Sequence, residues 1–118
     1  MGVVKWFKPV SVFDLAFALH RLTGIVLLLY LCMHLAYLST LREPEVYESL
    51  IAITTSPQFL PLDALLVLCG VYHGVNGVRV IIHELGFLHE HRRALLALTV
   101  VTTLVVWILA VQMMLEAV

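Results

Sequence analysis

Apolar residues fill three long stretches of this chain, and polar residues gather in the short segments between them. The first stretch runs from about Leu15 to Leu41, the second from about Leu62 to Leu85 and the third from about Ala94 to Met114. Each reaches the ~20 residues that a helix needs to cross the hydrocarbon core of a bilayer. The pattern therefore predicts an all-α integral membrane protein with three transmembrane helices (about 15–41, 62–85 and 94–114) in a single domain over residues 1–118. No internal repeat or low-complexity linker interrupts it. The lead, residues 1–13, places Trp6 and Phe7 between Lys5 and Lys8, the composition of an interfacial anchor, and Asp14 suits a helix N-cap or a first-turn acid. In the loop 42–60, Pro44 opens a short helix with Val46, Leu50 and Ile53 at near-helical spacing, suited to lie along the membrane surface. Pro61 fits the first position of the second long helix, Asp63 its first turn and Gly86 its C-terminal cap.

Composition strengthens the membrane reading. Of 118 residues, 62% are hydrophobic and only 13% charged, which is too apolar for an ordinary soluble domain. The formal net charge of −1 comes without a basic tract, so no nucleic-acid partner is expected. The N-terminus lacks a cleavable signal pattern, and Gly2 lacks the downstream Ser or Thr of a myristoylation signal. Cys32 and Cys69 lie inside apolar runs and read as small buried hydrophobes. Lys5, Lys8, Arg92 and Arg93 stand against Glu43, Glu45 and Glu48 in the first loop. The positive-inside rule then puts the N-terminus and the 87–93 turn in the cytoplasm and the C-terminus outside, in a multi-pass cell (inner) membrane protein.

Candidate chemistry concentrates in Tyr72 to Gly86. His, Asn and Arg are costly inside hydrocarbon and mark function or helix–helix contact. At ~100° per residue His73, Asn76, Gly77, Val80 and Glu84 share one stripe, and Gly70, Gly74 and Gly77 leave helix surface bare. Such a face suits partner helices and a flat buried ligand. The expected ligand is haem b, with His73 on its iron, because a neutral imidazole is a good axial ligand. Arg21 and Arg79 would neutralise the propionates, with His20 beside the first. The competing readings are a hydrogen-bonded His73 without metal, and Arg21 and Arg79 snorkelling to the inner headgroups. His34 is a packed histidine or a ligand. His83, His89 and His91 fall at the membrane edge and read as solvated. The third span, with Thr99, Thr102, Thr103 and Trp107, carries no functional signal. No carboxylate pair, nucleophile triad, phosphate loop or cysteine cluster appears, so the chain is not catalytic by itself. Three helices can hardly enclose a haem, so a partner with further helices is implied.

Two motifs carry a family resemblance. His20-Arg21-Leu22-Thr23-Gly24 resembles the H-R-x-S/T-G signature of the cytochrome b membrane anchor of succinate dehydrogenase, respiratory complex II. His73, Gly77-Val78-Arg79 and Glu84-Leu85-Gly86 resemble the second-helix signature of the same family, in the same order and spacing. The resemblance covers essentially the whole chain. It implies that His73 is an axial ligand of haem b, that His20 and Arg21 lie near the propionates and the quinone pocket, and that Arg79 lies near the haem. It also implies a second membrane-anchor subunit, which supplies the other ligand and completes the helix bundle, and an iron–sulfur and a flavoprotein subunit. Electrons would pass from succinate through these to quinone, in the tricarboxylic acid cycle and electron transport. Two positions depart from the pattern. Phe17 stands where many members place a quinone-pocket serine, and Glu84 replaces an aspartate. His34 resembles the outer first-helix histidine of two-haem relatives, which makes one haem or two the open question.

The rival expectations are a haem-free structural anchor, in which His73, Asn76 and Arg79 are interhelical glue, a fumarate reductase anchor, and a small transport or channel subunit whose polar stripe lines a path.

Overall fold

The computed structural model describes residues 9–118. The expected anchor at Lys5, Trp6, Phe7 and Lys8 lies outside the described residues. Four α-helices follow in order: α1 (Val12–Ser39), α2 (Pro44–Thr54), α3 (Leu60–Glu84) and α4 (Arg92–Glu116), joined by 3₁₀ turns at Thr40–Arg42, Pro57–Phe59 and His89–His91. Three helical stretches, Val12–Arg42, Pro57–Glu84 and His89–Glu116, are long and apolar enough to cross a membrane.

Local chemistry sets the ends. α1 starts three residues before the expected position because Ser11 is its N-cap and Asp14 is the first-turn acid, the other place expected for it: the Ser11 hydroxyl accepts from the Asp14 N–H at 3.2 Å and the Asp14 carboxylate accepts from the Ser11 N–H at 3.0 Å. That reciprocal box satisfies two otherwise orphaned donors. Pro44 opens α2 and Pro61 sits in the first turn of α3. Beyond α3, Gly86 takes φ +88°, a left-handed conformation that costs glycine little.

α3 is the central helix, packed on α1 along one side and α4 along another. The α1–α3 seam is antiparallel. Gly24 faces His73, Leu27 faces Gly70 and His20 faces Gly77, so each level pairs a missing side chain with a long one. Gly70 and Gly77 are thus filled from α1, and of the three α3 glycines Gly74 keeps open space around it. The Tyr72 hydroxyl donates to the Ala16 carbonyl at 2.7 Å across the same seam. On the other side the Trp107 indole N–H donates to the Ala64 carbonyl at 2.8 Å, and Thr99, Thr103 and Leu96 are buried. The threonines of the third span therefore mark its packed face. Between the starts of α1 and α4 the Arg92 guanidinium lies 5.4 Å over the Phe13 ring.

α2 is held to the end of α1. The Tyr37 hydroxyl lies 3.3 Å from the Thr54 hydroxyl, whose own proton goes to the Leu50 carbonyl at 2.8 Å, and the Tyr37 and Tyr47 rings meet edge to face at 5.6 Å. One expectation is corrected: Cys69 is buried, but Cys32 is exposed on α1. In a helix apolar on every side, apolar character does not single out the packed face, and Cys32 falls away from the α3 seam.

Candidate functional site

The site forms where one turn of α1, His20 to Gly24, meets the middle of α3 at His73. The His73 ring stacks on the His20 ring with centroids 4.1 Å apart and planes 9° from parallel. His73 Nδ1 lies 3.0 Å from the His20 carbonyl oxygen and 3.2 Å from Thr23 Oγ1. The Thr23 hydroxyl itself bonds the His20 carbonyl at 3.0 Å. A carbonyl only accepts, so the hydrogen-bond network assigns the His73 proton to Nδ1, and Nε2 keeps its lone pair. Gly24 makes the approach possible, since a Cβ there would fall 2.9 Å from His73 Cε1. His20 Nδ1 is buried without a partner among the described residues.

One turn further along α3, Asn76 is fully buried and its side-chain carbonyl accepts from Arg79 Nε at 2.9 Å. Its amide nitrogen has no partner among the described residues. Arg79 is also buried and lines a cleft of about 270 Å³ between α3 and α4 with Thr99 and Thr102. The expected stripe therefore divides: His73 and Gly77 face α1, Asn76 turns to the interior, and Glu84 is exposed at the helix end.

Arg21 and Phe17 share an exposed face near the start of α1, with the guanidinium 5.8 Å over the ring. His34 lies ten residues beyond Gly24, about 15 Å along the axis at 1.5 Å per residue. It is exposed, stacks on Tyr30 at 5.6 Å, and lines a separate cavity of about 610 Å³ between α1, α2 and α3 together with Tyr37, Tyr47 and Asp63. At the C-terminal end of α3, His83 meets His89 at 5.3 Å and contacts the Phe87 carbonyl.

Sequence reasoning singles out His20, Arg21, His73 and Arg79 but gives no role to Thr23 or Gly24. A signal for both is present: they belong to the same short motif, and a hydroxyl beside a glycine inside an apolar helix marks close helix approach.

Among the described residues no group of three or more His, Cys, Asp or Glu side chains could hold a bare metal ion. A haem asks less of one chain, because the porphyrin fills the equatorial positions and the protein supplies axial donors. An imidazole whose Nδ1–H is tied to a backbone carbonyl and whose Nε2 is bare is the donor such a site uses, so the residues present fit the group.

No curated protein matches the sequence. The family model described as succinate dehydrogenase/fumarate reductase transmembrane subunit matches residues 11–110, a region that holds the packed cores of all three spans and every residue of the site. The chain is a multi-pass membrane protein and belongs to that family of transmembrane subunits.

Proposed function

We propose that the chain is the haem b-binding anchor subunit of a succinate:quinone oxidoreductase, with His73 as an axial ligand of the iron. The observation that carries this reading is the His73 imidazole in the middle of α3, its Nδ1 on the His20 carbonyl and its Nε2 bare. When bound, the haem supplies a one-electron carrier between an iron–sulfur centre and quinone. His73 would hold the iron for this chain, and a second membrane-anchor subunit would supply the other ligand and close the bundle against the open face at Gly74. Arg79, buried beside Asn76, and Arg21 provide positive charge for propionates, with His20 alongside. Arg21, Phe17 and His20 form this chain's wall of a quinone site, the aromatic ring standing where a hydroxyl would otherwise bond the quinone. The iron–sulfur and flavoprotein subunits dock on the cytoplasmic side, where the N-terminus and the 87–93 turn lie, and the C-terminus is outside. Lipid covers the remaining apolar surface.

Purification through a tag on this chain tests the reading. Co-purification of a flavoprotein and an iron–sulfur protein, with haem b and succinate-dependent quinone reduction, is the expected result. A colourless complex of full composition would replace it with the haem-free anchor, and ion flux in liposomes without a flavoprotein would replace it with the transport subunit. Faster fumarate reduction than succinate oxidation would make it a fumarate reductase anchor.

The cavity beside His34 favours a second reading for that residue. Its volume lies within the range of small-molecule and cofactor pockets, and its histidine is accessible and well separated from His73. A haem-to-flavin ratio near two assigns His34 as the ligand of a second, outer haem. A ratio near one leaves it a packing residue.

A further inference from the structure

We infer that Thr23 and Gly24 are positioning residues that fix the tautomer and orientation of the His73 imidazole; this rests on the reading of His73 as an iron ligand. One turn of α1 holds that ring from several directions. The His20 carbonyl takes the Nδ1 proton at 3.0 Å. Thr23 Oγ1 stands 3.2 Å from the same nitrogen and gives its own proton to the His20 carbonyl at 3.0 Å. Its lone pairs therefore face the N–H, and the nitrogen donates to two oxygens at once. Thr23 is buried, so water does not compete for these bonds. Gly24 decides whether the ring can reach them, because a methyl at that position would lie 2.9 Å from Cε1 and push the imidazole off the carbonyl. The His20 ring, parallel at 4.1 Å, limits the remaining rotation.

Two consequences follow. Nε2 is the only ring nitrogen left to donate to iron. A hydrogen bond from the distal N–H also makes the imidazole a stronger donor, and a stronger donor favours ferric over ferrous iron. The acceptors therefore hold the reduction potential down.

The test uses the assembled complex carrying Thr23→Val, Thr23→Ser, Gly24→Ala and, as a reference, His73→Ala. The readouts are haem content, the midpoint potential and the low-spin ferric EPR signal. Loss of an outer-shell partner commonly weakens a metal–ligand bond by ~10-fold or more. If ferric binding weakens tenfold relative to ferrous, the midpoint rises by about 59 mV. Thr23→Val is expected to show that rise with haem retained, Thr23→Ser to stay at the unsubstituted value, and Gly24→Ala to shift the low-spin signal. An unchanged midpoint in Thr23→Val, or an unchanged low-spin signal in Gly24→Ala, overturns the inference. The reference variant separates the two ideas. If His73→Ala keeps its haem, the ligand assignment itself falls. If His73→Ala loses haem while the other variants behave as the unsubstituted complex, only the positioning role falls.

Discussion

Alanine scanning of the α1–α3 seam gives a prediction whose sign depends on position. The structure places a Cβ at Gly77 3.5 Å from His20 Cε1 and one at Gly70 3.9 Å from Leu27 Cδ2, both ordinary contacts, but one at Gly24 2.9 Å from His73 Cε1. Replacing a helix-interior glycine by alanine stabilises by roughly 0.5–1 kcal/mol where the methyl fits. Forcing a methyl into a filled seam costs about 1–3 kcal/mol. Gly77→Ala and Gly70→Ala should therefore be neutral to stabilising, while Gly24→Ala should be destabilising, with ~2 kcal/mol between them. A gap of that size is enough to separate the melting midpoints by several degrees. Heating the detergent-solubilised complex and following the intact fraction by size exclusion, with a fluorescent tag on this chain, reads the order of midpoints. A Gly24→Ala complex that survives heating as well as Gly77→Ala would refute the seam register.

Other substitutions probe separate contacts. Trp107→Phe keeps an aromatic body but loses the bond to the Ala64 carbonyl; the same heating assay should show a loss of about 0.6–1.7 kcal/mol, and no loss would mean that bond contributes nothing. Asn76→Leu removes the acceptor of buried Arg79 Nε, and should cost more, about 1.5–3 kcal/mol for a hydrogen bond to a charged group, measured in parallel. His34→Ala should leave the spectrum of the haem proposed at His73 in place, because the cavity beside His34 is a separate site; disappearance of all haem from that variant would contradict the separation.

The spans are legible in the sequence because length and apolarity alone define a membrane helix, and their ends shift by one to three residues, at the start of α1 because Ser11 caps it. The packed faces are harder to read. In these helices the most buried residues are Ala16, Thr23, Cys69, Asn76, Arg79, Thr99 and Thr103, with Leu96 the one large aliphatic among them. In lipid an apolar side chain gains little by leaving the bilayer for a protein interior, so small and polar residues take the interfaces. That rule points to Thr99 and Thr103 as the α4 seam and to Thr23 and Gly24 as part of the site. The expected stripe from His73 to Glu84 divides because α3 is gripped from two sides, so one helical face does not describe it. The glycine pattern does mark thin surface, but Gly70 and Gly77 are filled within the chain while Gly74 stays open. That His20 and His73 meet ring to ring is not legible in either motif alone. It needs the antiparallel register that sets residues 20 to 27 against 77 to 70.

Haem content of the purified complex with and without His73 tests the central claim most directly. A pyridine haemochrome spectrum, referred to covalent or extracted flavin, should show that His73→Ala removes one haem b per flavin from an assembled complex. An unchanged haem-to-flavin ratio in that variant would contradict the account.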